Sequence, residues 1–208
     1  MDMDKSNKSF WERFAFIYTG FMKKNDIVYD ELCGCLGKQL TYADSVLELA
    51  CGTGQITHRL AREVKTWTAT DFSPKMLEEA KKQGKEDNIE FSVADATTLL
   101  YDDKSFDVVV IANALHIMPE PDKALSEIYR VLKQGGLLFA PTFVYNGNYN
   151  KLLIWLMEKL GFHTFHKWKE KELKDFVASY GFTLESDEVI KAKPLDECVL
   201  IGRKTLFT

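Results

Sequence analysis

The stretch that most restricts this chain is Val46 to Gly54, "VLELACGTG". An apolar run with one acid, Glu48, leads straight into Gly52 and Gly54, which are separated by a single threonine. Apolar runs of this length, closed abruptly by glycines, read as strands buried on both faces. Gln55–Val64 then places Ile56, Leu60 and Val64 at spacings of four, the signature of a helix with one apolar face. Thr66–Thr70 is a β-branched strand ending at Asp71. Ser73 and Pro74 supply an N-cap and a first-turn proline for a helix over 75–84.

The rhythm continues with strands at 89–94, ending at Asp95, and 106–112, "FDVVVIA". A helix is expected over 121–132, closed by Gly135 and Gly136, and a strand over 136–142. Alternating strands and helices imply an α/β fold, a doubly wound, Rossmann-like and mostly parallel sheet with helices on both faces. Two final strands, 182–189 and 198–204, bring the expected count to seven, the last one antiparallel. A helical insert over about 150–181 precedes them. Phe10, Phe14, Ile17 and Phe21 recur at helical spacing ahead of the sheet and predict an N-terminal helical lid.

The chain of 208 residues fits one domain: a helical cap over 1–43, a ligand-binding core over 44–142, and the insert with the last strands over 143–208. A composition of 46% hydrophobic and 28% charged residues suits a globular core. The net charge of −4 argues against a nucleic-acid binder, which needs a basic face for phosphate. No secretory pattern opens the chain, and no apolar run reaches membrane-spanning length. The four cysteines show no CxxC spacing, so they read as reduced thiols in a cytoplasmic protein, a monomer or homodimer with no stable membrane insertion. His163 and His166 stand three apart, but no acid at matching spacing completes a set, so no metal is expected.

In a doubly wound sheet, ligands bind outside the carboxyl ends of the strands. Gly52 and Gly54 let the backbone approach a ligand there. Glu48, Asp71 and Asp95 converge on that edge, an arrangement suited to a ligand with a ribose diol, an amine and a cationic centre. A nicotinamide dinucleotide, and with it an oxidoreductase, is the rival. Its Gly-x-Gly-x-x-Gly/Ala fingerprint is broken here by Thr57.

"VLELACGTGQITHRLA", "TATDFSPKMLEEAKK", "FSVADATTL" and "FDVVVIANALHIMPEPDKALSEIYRVLKQGGLLF" resemble the successive motifs of class I S-adenosylmethionine-dependent methyltransferases. The similarity is greatest to the small-molecule, ubiquinone/menaquinone-biosynthesis-like branch, and it covers about residues 44–142. Ala50 stands at the first position of the family's glycine triplet. The resemblance implies S-adenosylmethionine as cofactor and S-adenosylhomocysteine as product. It implies that Glu48, Ala50, Gly52 and Gly54 surround the methionine part. Asp71 would accept from both ribose hydroxyls, Phe72 and Met76 would line the adenine, and Asp95, with Ala96 beside it, would accept from the adenine amine. Asn113 would sit near the methyl, and Tyr18 would be a lid contact. The acceptor would be a small molecule, with an aromatic ring or a lipid-like tail suited to the aromatics between Phe143 and Trp168. His116 is the candidate general base, with an ordinary histidine pKa of about 6.5. A non-catalytic S-adenosylmethionine-binding partner protein is the other class open to the same motifs.

Overall fold

The computed structural model describes residues 26–147, 155, 159, 163–192 and 195–205. Tyr18, the segment from Phe10 to Phe21 and eleven residues of the expected helical insert, all between 150 and 162, lie outside the described residues. The elements are α1 (Asp26–Gly37), β1 (Ser45–Leu49), α2 (Thr57–Leu60), β2 (Thr66–Asp71), α3 (Pro74–Lys81), β3 (Ile89–Val93), β4 (Phe106–Ile111), α4 (Pro121–Val131), β5 (Leu132–Phe139), β6 (Thr142–Val144), α5 (Glu170–Ala178), β7 (Phe182–Ile190) and β8 (Asp196–Lys204).

They form one sheet. β3, β2, β1, β4 and β5 run parallel in that order, and β8 lies antiparallel to β5. β6 and β7 both pair antiparallel with β8. β7 covers nearly the whole of β8, from Glu197 to Lys204, so β5 and β6 must share its other edge end to end. The seven expected strands are therefore eight among the described residues, and the cause is Pro141. Its ring removes a ladder donor and interrupts what would be one strand, while its carbonyl accepts from the Asn113 N–H at 2.8 Å. Only β8 runs against the others, as the sequence predicts for the last strand.

The pleat sorts side chains into two cores. Leu47, Leu49, Val109, Ile111 and Leu200 pack with Leu125 and Ile128 of α4 and Leu173 and Val177 of α5. Val46, Trp67, Val108, Val110 and Phe139 pack on the other face with Leu32 and Leu36 of α1, Leu60 of α2 and Leu77 of α3. Burial on both faces explains the mostly apolar runs of β1 and β4, each with a single acid.

Element boundaries depart most from the sequence expectation at the helix after β1 and at the end of α4. The helix expected over 55–64 is one short turn, Thr57–Leu60, tightening into a 3₁₀ turn at Ala61–Glu63, because Leu60 leaves the helical region at φ −120°. Gly135 and Gly136 do not close α4. That helix passes directly into β5 at Leu132, and the glycines sit within the strand, where the register with β4 shifts. Ser73 does cap α3, its hydroxyl accepting from the Met76 N–H, with Pro74 in the first turn. At the far end of the sheet the Lys204 ammonium donates to the carbonyls of Tyr129 and Leu132, fastening β8 to the end of α4.

Candidate cofactor and acceptor site

The turn after β1 is left-handed at three alternate residues: Ala50 (φ 53°), Gly52 (φ 56°) and Gly54 (φ 79°). A Cβ on Gly54 would stand 2.8 Å from His58 Cδ2 and 3.4 Å from the Ala80 Cβ, so glycine is required there on two counts. Thr57, which breaks the dinucleotide fingerprint, donates its hydroxyl to Glu48.

Asp71 ends β2 and is 4% exposed. Its Oδ2 accepts from the Gly52 N–H at 2.9 Å and its Oδ1 from the Ser73 N–H at 2.8 Å. One carboxylate thus ties the glycine turn to the β2–α3 loop, and each oxygen keeps a second lone pair for a ligand. Burial raises its pKa to about 6, against the pull of those two amides.

Beside the turn lies a cavity of about 170 Å³ at the carboxyl edge of β1–β4. Ala50, Phe72, Asp95 and Ala96 line it, together with Leu49 and Met118. Asp95 is also a turn acid, its Oδ1 accepting from the Thr97 N–H at 2.8 Å and the Thr97 hydroxyl at 2.7 Å. Met76 is buried in α3 and does not line this cavity.

Glu48, expected beside the ligand, occupies the opposite face of the sheet. It aligns with Ala69 and Val110, and its Oε2 accepts from Trp67 Nε1 at 2.8 Å and from Thr57. The acid inside a buried strand has the partners such a charge needs, and they belong to the protein. Burial pushes its pKa up to about 7.

Asn113 follows β4 in a left-handed conformation, φ 54°. Its Nδ2 donates to Glu197 Oε1 at 2.8 Å, while its Oδ1 is buried and unpartnered. His116 sits in the 3₁₀ turn Leu115–Ile117, 2% exposed, its ring edge-on to Phe143 with centroids 5.6 Å apart. Burial, with His166 adding a smaller push, lowers its pKa to about 3, so the ordinary value expected of it does not hold and the imidazole is neutral. Its Nδ1 has no partner.

Glu197, the partner of Asn113, is a buried acid that the sequence alone did not mark. It is 1% exposed, and burial raises its pKa to about 7. The available signal was the same as for Glu48, an acid abutting a buried apolar run. Starting the last strand at Cys198 rather than Asp196 left Glu197 outside it. Among the described residues no group of three or more histidines, cysteines or acids could hold a metal ion.

An open α/β sheet of this order, with a glycine turn locked to the acid of the second strand, defines the class I S-adenosylmethionine-dependent methyltransferase fold. A protein described as a methyltransferase and solved in complex with the Haloferax volcanii Trm112 methyltransferase activator superposes with a TM-score of 0.78 over 97% of this chain and 99% of that one, at 18% identity. The methyltransferase domain family matches residues 47–140. A demethylmenaquinone methyltransferase of Clavibacter sepedonicus is 45% identical over 94 residues, 45% of this chain and 38% of that one. The ubiquinone/menaquinone biosynthesis C-methyltransferase UbiE of Rickettsia bellii is 32% identical over 150 residues, 67% of this chain and 52% of its own length. The matches thus span about two fifths to half the length of these relatives. Residues 47–140 thus carry a methyltransferase domain on a class I S-adenosylmethionine-dependent methyltransferase fold, and the matched stretch is similar to methyltransferases of ubiquinone and menaquinone biosynthesis. No helix among the described residues is long and apolar enough to cross a membrane.

Proposed function

We propose that this chain binds S-adenosylmethionine at the glycine turn and directs its methyl group to a carbon of a small aromatic acceptor of the quinol class. The observation that carries this is the Asp71 carboxylate. It is buried, held by the Gly52 and Ser73 amides, and left with acceptor capacity beside a cavity lined by Phe72 and Asp95. A carboxylate preset in this way suits a vicinal diol. Phe72 offers a ring face to a flat base, and Asp95, with the Ala96 backbone, an acceptor for an exocyclic amine. Ala50, Gly52 and Gly54 would surround the amino-acid part, and Asn113 stands at the end of β4, where the methyl would lie. Glu48 and Met76 support the site from within, Glu48 by fastening α2 to β2 and Met76 from the start of α3. The quinol class is suggested by the relatives' names and by the rings of Phe143, Tyr145 and Trp168 near β6.

The sulfonium of the cofactor supplies an electrophilic methyl. The protein's part is to hold the acceptor in line with the S–C bond and to keep water out. Calorimetric titration with S-adenosylmethionine and S-adenosylhomocysteine tests the proposal. Both are expected to bind, and Asp71→Ala should lose ~2–4 kcal/mol of affinity, since a desolvated diol loses a charged partner. Affinity within twofold of wild type would leave Asp71 as a turn residue only and defeat the assignment.

A further inference from the structure

We infer that Asn113, His116, Phe143 and Glu197 form a buried receptor for an aromatic hydroxyl of the acceptor, with Glu197 as the group that takes its proton. The inference rests on the methyl-transfer function proposed for the same site.

Four independent observations close these residues into a ring. Asn113 donates to Glu197. Glu197 stands opposite Phe143 in the antiparallel β6–β8 register, so the two side chains share a face. Phe143 packs against the edge of His116. His116 returns to Asn113 through the three-residue turn after β4. Because β8 is the reversed strand, its beginning lies at the carboxyl edge of the sheet, the edge that carries the glycine turn.

Within this ring two buried polar atoms are unmet, Asn113 Oδ1 and His116 Nδ1. Native interiors rarely leave such atoms without a donor. A neutral imidazole can present a bare ring nitrogen, and the amide presents a carbonyl, so both ask for a hydrogen-bond donor. The described residues bring no lysine or arginine into hydrogen-bond contact with Glu197, and the side chain that does donate to it, Asn113, is neutral. Burial without a cation holds this acid near the point where it gains and loses a proton at neutral pH. A neutral hydroxyl on a flat ring, lying along Phe143, answers each of these features better than an ammonium, which would demand an acid held ionised.

In the transfer, the hydroxyl proton passes to the Glu197 carboxylate, and the electron density released enters the ring. A ring carbon beside the oxygen forms the new bond to the methyl carbon as the S–C bond breaks, its pair remaining on sulfur. That ring carbon then loses its own hydrogen as a proton and aromaticity returns. Glu197 gives its proton back to the oxygen, and one proton leaves to water overall.

The test uses the full chain saturated with S-adenosylhomocysteine, with 1-naphthol and 1-methoxynaphthalene as probes. Wild type should bind 1-naphthol at least tenfold more tightly than the methyl ether, which has no donor. Glu197→Gln should keep its S-adenosylhomocysteine affinity within twofold, bind 1-naphthol at least tenfold more weakly, and lose at least a hundredfold in kcat with S-adenosylmethionine and 1,4-naphthoquinol. The rise of kcat/KM with pH near 7 should vanish with it. Asn113→Gly, which tolerates the left-handed backbone, should weaken 1-naphthol likewise and guards against a folding defect in the first variant. Equal affinity for the two probes, no binding of 1-naphthol by wild type, or an unchanged pH profile in Glu197→Gln overturns the inference. Those results with S-adenosylhomocysteine still bound leave the methyl-transfer function standing, whereas wild type that binds neither cofactor form removes both.

Discussion

Glu48, Asp71 and Glu197 are acids that the chain buries almost completely. Each is held by hydrogen bonds, yet burial outweighs them and lifts all three above the ordinary carboxylate range. For Glu48 the folded protein retains a proton up to about pH 7, while an unfolded chain releases it near 4.5. The native state therefore binds more protons across that window, and the contribution of Glu48 to stability falls as pH rises through it. Relative to Glu48→Gln, wild type should lose about 3 kcal/mol of unfolding free energy between pH 4 and pH 8. Denaturant curves of the two proteins at both pH values measure this, and parallel losses would show that Glu48 is ionised when folded. The acid at position 48 was legible in the sequence because a charge inside an apolar run stands out. Its direction was not legible. A strand alternates faces, and nothing in "VLELA" says that Trp67 and Thr57 wait on one of them. Asp71 lay at a strand end before a cap and a proline, where position alone marks it.

At the scale of elements, the turn after β1 holds a contrast between two small residues. Ala50 carries the left-handed conformation that its neighbours give to glycine. Removing its Cβ relieves a cost of roughly 1–2 kcal/mol, against roughly 0.5–1 kcal/mol of added chain entropy. Ala50→Gly should therefore be neutral or stabilising by up to ~1.5 kcal/mol, raising the melting temperature by at most ~6 °C. Gly54→Ala should do the opposite, costing ~1–3 kcal/mol through both φ and the approach to His58. Calorimetric melting of both variants decides this, and equal effects would mean that the turn relaxes freely. The elements that sequence revealed best were β1 and β4, where two-sided burial writes a run of apolar residues with a single acid in each. It revealed least at Gly135 and Gly136, which look like a helix stop but serve a register shift, and at Pro141, which divides a strand instead of ending it. Both depend on neighbours far along the chain.

For the whole molecule, a site that ties β1, β2 and α3 together through Asp71 should respond to ligand as one cooperative body. S-adenosylhomocysteine at about 100 times its Kd should add about 2.7 kcal/mol to the unfolding free energy. For a chain of this size that is a rise of roughly 5–11 °C in melting temperature. Differential scanning calorimetry measures it, and a melting temperature that does not move would mean the cavity is not where this ligand binds. The doubly wound, mostly parallel character of the sheet was legible in the sequence because alternating strands and helices leave few ways to build one. The meeting of Asn113 with Glu197 could not be read, since 84 residues separate them.

That separation also bears on the order in which the molecule is made. Everything around the glycine turn, through Phe139, is complete well before Glu197 leaves the ribosome. At ~5–20 residues per second, the nearly sixty residues in between take roughly 3–12 s to synthesise. During that interval the emerging polypeptide already possesses the cradle for the methyl donor and lacks the acid that completes its other half. The strand that runs backwards is thus also the part that comes late, and the residues proposed to hold the donor are all made before the acid proposed to receive the acceptor's proton.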